Sequence, residues 1–224
     1  MVARRYTGQI GFFWLCVLLL SAPSAVVRGE PGVPDPALAL SGAQLSQALR
    51  QGGFVIYFRH ADTGPAYPEP GPVDLERCET QRNLNDKGRA EARVIGEQLR
   101  RLKVGIGTVL SSEFCRCWQS AELTVGRYEK TRALTGVGRG PEAAGRREEA
   151  TRGLRKLLGT VPASGTNTLL FSHGFNLLDL ENFHLGTQGE AAIFRPDGRG
   201  GYALVARVTP DQWVLLPDAS GAGQ

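Results

Sequence analysis

Phe54-Val55-Ile56-Tyr57-Phe58 is an unbroken apolar run with Gly52-Gly53 before it and Arg59-His60 after it. A strand with one wet face alternates apolar and polar residues. A run that does not alternate requires cover on both faces, as in the central strand of a sheet flanked by two helical layers. Thr168-Leu169-Leu170-Phe171-Ser172 repeats the pattern and runs into His173-Gly174. Helical spacing fills the intervals. Ser41-Gly42-Ala43-Gln44 has the form of a capping box ahead of Leu45, Ala48 and Leu49, and the glycine pair ends that helix. Asn85-Asp86 opens a second helix, with Ala92, Ile95, Leu99 and Leu102 on one face. A short strand is expected around Thr108-Val109-Leu110, and helices over 114–125, 143–158 and 176–183. A terminal hairpin or pair of edge strands is expected over 202–208 and 213–216. Strands alternating with helices predict an α/β fold: a three-layer α/β/α sandwich with a mostly parallel central sheet, whose ligands bind beyond the carboxyl ends of the strands.

The chain has 224 residues, 42% of them hydrophobic, enough for one domain with a full core and short for two. Residues 1–29 read as a signal peptide or N-terminal anchor. Arg4 and Arg5 precede an apolar run from Ile10 to Leu20, and small residues follow from Ser21 to Ala25. Cleavage leads to an exported protein, periplasmic or secreted; retention leads to membrane anchoring through that segment alone. Residues 30–40, with Pro31, Pro34 and Pro36, read as a linker, 41–217 as the domain and 218–224 as a flexible tail. The segment 64–73 carries Pro65, Pro68, Pro70 and Pro72 and is expected to be a loop, either a lid beside His60 or a solvated excursion.

Charge excludes one class of partner. The formal net charge is +4, but Arg4, Arg5 and Arg28 lie in the first 29 residues, which hold no acid. Without them 23 basic face 22 acidic side chains. A nearly neutral domain gives no reason to expect nucleic-acid binding. Of the four cysteines, Cys16 lies in the apolar run. In an oxidising compartment Cys78 is expected to bridge to Cys115 or Cys117.

A phosphate monoester is a dianion, and splitting it needs positive groups around its oxygens and a nucleophile in line with the leaving group. Arg59 and His60 stand together at one strand end. Arg116 opens the helix after another, and His173 and Gly174 lie where a strand meets a helix N-terminus, a place that favours anions. A neutral imidazole attacks phosphorus, and neighbouring guanidiniums disfavour its protonation. Planar guanidiniums also engage two phosphate oxygens at once.

Four segments in order carry a resemblance: Arg59-His60-Ala61 with Thr63, Leu84-Asn85-Asp86-Lys87-Gly88, Leu110-Ser111-Ser112 through Arg116, and Phe171-Ser172-His173-Gly174. Together they resemble the histidine phosphatase superfamily, the clan that includes phosphoglycerate mutases and bacterial phosphohistidine phosphatases. Here Ala61 stands where that family has glycine. The resemblance implies a phosphoglycerate mutase-like fold and a phosphatase that hydrolyses phosphate monoesters through a covalent phosphohistidine on His60. Arg59, Arg116 and His173 would hold the phosphoryl group, Thr63 would contact it or brace the loop, and Gly174 would bind substrate. The scheme needs no metal or other cofactor. The expected substrate is a small phosphorylated molecule, with an envelope sugar phosphate the analogy drawn from an exported relative. Glu142, Glu113 and Asp62 are the candidates for general acid, and with no acid phosphohistidine becomes the better substrate. A phosphate-binding module without catalysis is the remaining alternative.

Overall fold

The structure is a computed structural model that describes residues 32–34, 36–64, 73–136, 138 and 141–218. The amino-terminal segment 1–29, the proline-bearing stretch 65–72 and most of the tail lie outside the described residues, and with them the expectations of a signal peptide, a lid and a flexible end. The 30–40 segment is described in part. Gly32 is buried under Phe183 and its carbonyl accepts from Arg207 Nη1, while the Leu40 amide donates to the Val205 carbonyl, so this stretch packs on the domain.

The chain runs α1 (Gly42–Gln51), β1 (Val55–Arg59), α2 (Asp86–Arg101), β2 (Ile106–Ser111), α3 (Cys115–Val125), β3 (Glu129–Lys130), α4 (Ala144–Leu158), β4 (Asn167–Ser172), α5 (Gly174–Glu181), β5 (Ala191–Pro196), β6 (Tyr202–Val208) and α6 (Pro210–Leu215). One six-stranded sheet has the order β3-β2-β4-β1-β5-β6. Its first four strands are parallel, and β5 and β6 complete it antiparallel. The expected sandwich with a mostly parallel sheet is the observed one.

The unbroken apolar runs have the expected cause. In β1, Ile56 and Phe58 join Phe171 of β4, Leu49 of α1, Leu99 of α2 and Trp213 of α6 in one core. Val55 and Tyr57 face the other way, with Leu170, Leu154 and Leu158 of α4 and Leu177 of α5. Two helical layers therefore bury both faces of the strand. Phe58 stacks on Phe171 with ring centroids 4.9 Å apart.

Two expectations fail, and two strands, β3 and β5, go unforeseen. Residues 213–216 do not form a strand: 213–215 belong to α6 and Leu216 is its C-cap, because Pro210 opens the helix and Thr209 and Gln212 form a reciprocal capping box. The hairpin partner of β6 is β5, across a turn in which the Asp197 amide donates to the Gly201 carbonyl. Ser41 caps α1 by position but its side chain makes no cap hydrogen bond, so the Ser41–Gln44 box does not form. Asn85 does cap α2, accepting from the Gly88 amide at 2.8 Å. Cys78 is bonded to Cys115, and Cys117 is a free, buried thiol.

Close packing of α2 on α3 brings the sheet-end helices together. A Cβ at Gly96 would fall 2.1 Å from the Thr124 carbonyl oxygen. Gly96→Ala is therefore expected to lower the unfolding free energy by roughly 1–3 kcal/mol. A lower urea midpoint at unchanged m would register this; an unchanged midpoint would contradict the contact.

Candidate active site

Parallel pairing builds the site. Arg59, the last residue of β1, is in register with Ser172, the last of β4, and the His60 amide donates to the Ser172 carbonyl at 2.9 Å. His60 and His173 thus leave adjacent strand ends side by side, with ring centroids 5.7 Å apart and nearly perpendicular. The neighbouring end of β2 is tied in when the Ser112 amide donates to Phe171 O, and the following α3 carries Arg116. Three strands separated by up to 113 positions in the chain, from His60 to His173, therefore meet at one edge.

A cleft of about 530 Å³ opens there. Its lining includes Arg59, His60, Arg116, His173 and Gly174, at or just beyond the strand ends, and Arg82 from the irregular stretch before α2. Farther out stand Arg147 and Thr151 of α4, Phe175 and Asp179 of α5, and His184. Four of the residues singled out in the sequence as catalytic, Arg59, His60, Arg116 and His173, are thereby brought together. His60 is 3% exposed, and Arg116 and His173 are each 6% exposed.

Each side chain is fixed by identifiable contacts. His60 Nδ1 lies 2.9 Å from the Ala61 carbonyl oxygen, which can only accept, so Nδ1 carries the proton and the lone pair sits on Nε2. Arg59 Nη1 donates to the carbonyls of Leu185 and Gly186. The carbonyl of His173 accepts from the Tyr57 hydroxyl at 2.6 Å, and His173 Nε2 is 3.0 Å from Ser112 Oγ. The Phe114 ring meets His173 edge-on, and the Arg116 guanidinium lies 4.4 Å from the centre of that same ring. Gly174 heads α5, and a Cβ there would strike His184 Nε2 at 2.6 Å, so only glycine lets the 184–185 segment close over the helix start.

Electrostatics keep both rings neutral. Burial lowers the pKa of His60 well below the usual histidine value, and Arg116, Arg59 and Arg82 lower it further. Burial acts likewise on His173, followed by Arg116, His60, Arg82 and Arg59. Burial also pushes the Cys117 thiol, 3.5 Å from His173 Nε2, up to about 12, so it stays protonated.

Other expectations need correction. Thr63 does not line the cleft: its amide and hydroxyl both donate to Gln188 Oε1, at 2.8 and 2.9 Å, and it braces the loop after β1. Asp62 is turned aside as well. Burial opposes its ionisation, but hydrogen bonds from Gly64, Lys87 and Asn85 hold its carboxyl below the usual range. Glu113 accepts from Thr135 and does not line the cleft. The Glu142 side chain is not among those described. Among the described residues the acid that lines the cleft is Asp179, and His184 lines it too. Arg82 was missed altogether. It precedes the helix signal Asn85-Asp86, in an irregular stretch where no periodicity marks it.

The neutral rings set a pH dependence. Both histidines have folded pKa values below the unfolded value of about 6.5, so the unfolded chain binds the more protons under that pH and stability is lost as pH falls from there. The slope should approach about 1.4 kcal/mol per pH unit for each histidine. Urea unfolding in phosphate-free buffer between pH 7 and 5 measures it. His60→Gln should flatten the slope, and equal slopes in both proteins would contradict the burial of a neutral His60.

No family model matches the sequence, and no curated protein matches it. Solved structures do. The protein histidine phosphatase SixA, solved in complex with tungstate, is 22% identical over 71% of this chain and 98% of its own, with a TM-score of 0.51. The product of open reading frame Rv3214 from Mycobacterium tuberculosis is 15% identical over 69% of this chain and 96% of its own, also with a TM-score of 0.51. At these identities the likeness is one of architecture, and the chain has the phosphoglycerate mutase-like fold.

Proposed function

We propose that this protein is a histidine phosphatase that hydrolyses phosphate monoesters through a phosphohistidine on His60. The observation that carries the reading is the tautomer of His60. A buried imidazole whose Nδ1 proton is committed to a carbonyl presents an Nε2 lone pair in a cleft ringed by Arg59, Arg82 and Arg116. The four ordered motifs and the shared fold support it, as does the oxyanion named in the SixA complex.

In the proposed reaction, the Nε2 lone pair attacks phosphorus and forms an N–P bond. The ester P–O bond breaks, and its electron pair leaves with the alcohol oxygen, which takes up a proton. Water then attacks phosphorus, gives up a proton, and the N–P electrons return to Nε2 as inorganic phosphate leaves. The arginines neutralise charge on the three equatorial oxygens in both steps, and His173 donates a hydrogen bond to the same group. No metal ion takes part in this scheme. A cleft of about 530 Å³ leaves room beyond the phosphoryl group for a small organic moiety, and an envelope sugar phosphate is the substrate class we favour. Export through residues 1–29 belongs to the same reading and rests on their composition alone.

p-Nitrophenyl phosphate is the first substrate to try, because its leaving group departs without a proton. Steady turnover is expected, with His60→Ala reducing kcat by at least roughly 10³-fold and Arg116→Ala by roughly 10²–10³-fold. Rapid acid-free quenching should trap a phosphoryl label that survives base and is released by acid. Wild-type activity in His60→Ala would sink the mechanism.

A further inference from the structure

Three like charges are difficult to hold in one place. Arg59, Arg82 and Arg116 line one cleft together with His60 and His173, and each lowers the pKa of both rings, so the three like charges act on the same small volume and repel one another. Arg59 ends a central strand and Arg116 opens a helix, so the sheet positions both. Arg82 belongs to neither kind of element.

Two ties join the Arg82 segment to the start of α3. Cys78, which opens a short 3-10 turn ending at Thr80, is bonded through its sulfur to Cys115, the residue before Arg116. Gln81, the residue before Arg82, is 3% exposed, and its Oε1 accepts from the Cys115 amide at 2.9 Å. Between the ties the backbone is closed on itself: the Gln81 amide donates to Cys78 O, and Asn83 Nδ2 donates to the carbonyls of Cys78 and Gln81. Both ties converge on Cys115, one residue from Arg116, and their other ends, Cys78 and Gln81, lie four residues and one residue from Arg82.

We infer that the Cys78–Cys115 disulfide is a positioning element of the anion clamp, holding the Arg82 guanidinium beside that of Arg116 before a phosphoryl group arrives. The inference rests on the reading of the cleft as a phosphoryl site. Without the bond, the covalent tie of the segment to α3 is lost, the Gln81 hydrogen bond to the Cys115 amide has to resist the mutual repulsion of the guanidiniums without it, and Arg82, the cation outside regular structure, is held less firmly. The anion would then have to fix it in place, which weakens binding. Oxidation of the two thiols thus becomes a condition for full phosphate affinity; it proceeds by exchange with another disulfide, which takes up the two electrons and two protons and leaves as a pair of thiols.

The test measures inorganic phosphate binding by calorimetry on the full chain, alongside KM and kcat for p-nitrophenyl phosphate. The Cys78→Ala/Cys115→Ala protein is expected to bind phosphate about ten-fold more weakly, with KM rising by a similar factor and kcat changing less. Arg82→Ala should show a comparable loss. Removing the bridge in the Arg82→Ala background should change the phosphate Kd by less than about two-fold, a non-additivity that general loosening of the fold does not produce. If the alanine pair fails to fold, wild type reduced with a phosphine and checked by circular dichroism replaces it, compared with the oxidised protein and with reduced Arg82→Ala. Equal phosphate affinity with and without the bridge would overturn the inference, as would a ten-fold loss that persists in the Arg82→Ala background. Wild type that binds phosphate but turns over nothing defeats the proposed function and leaves the clamp inference standing. Wild type that binds no phosphate overturns both.

Discussion

Repulsion among the guanidiniums of Arg59, Arg82 and Arg116 is the force that the rest of the architecture opposes. Each cation is assigned to a different support. Parallel pairing of β1 with β4 fixes Arg59, whose side chain is further anchored on the carbonyls of Leu185 and Gly186. The start of α3 carries Arg116 against the Phe114 ring. The segment before α2 carries Arg82, joined to α3 by sulfur. Two packed cores, one on each face of the sheet, keep these supports from moving apart.

The same repulsion serves chemistry. Burial disfavours a charge on either imidazole, and the cluster of cations around them adds to that, so both stay neutral where a solvated histidine would be partly protonated. A dianion would offset the repulsion among the three cations. The charges that attract the phosphoryl group thus reinforce what burial already does to keep the nucleophile neutral, and neither role requires a separate base near His60.

How much of this could be read from the sequence depended on where each residue sits. Arg59, His60, His173 and Arg116 all lie within a few residues of a strand end, and apolar runs announce strand ends, so these four were legible before any coordinates. Arg82 lies in irregular chain and has no such marker; its place three residues before the Asn85 cap is the available signal. Asp179 and His184 reach the cleft through the course of α5 and the segment after it, which only three-dimensional packing reveals. Motif order leaves Thr63 either to contact the phosphate or to brace the loop, and the second holds, because its hydroxyl is satisfied by Gln188, 125 residues away in the chain. In the same way α6 defeated a strand reading because three local helix-start signals, Thr209, Pro210 and Gln212, outweighed an apolar stretch too short to be decisive.

The two histidines are not equivalent, and the difference assigns their roles. A carbonyl oxygen can only accept, so the contact from His60 Nδ1 to Ala61 admits one neutral tautomer and leaves its Nε2 lone pair facing away from that bond. His173 meets a hydroxyl instead. Ser112 Oγ, which already accepts from the Phe114 amide, can either give its own proton to Nε2 or accept one from it. The second ring is held in place at its backbone by Tyr57, yet its proton is free to shift between tautomers. A nucleophile needs a lone pair that never competes with a proton; a hydrogen-bond donor to a phosphoryl group whose charge changes through the reaction gains from a proton that can be redistributed. The first description fits His60 and the second fits His173, which is why the proposed covalent bond forms on the former.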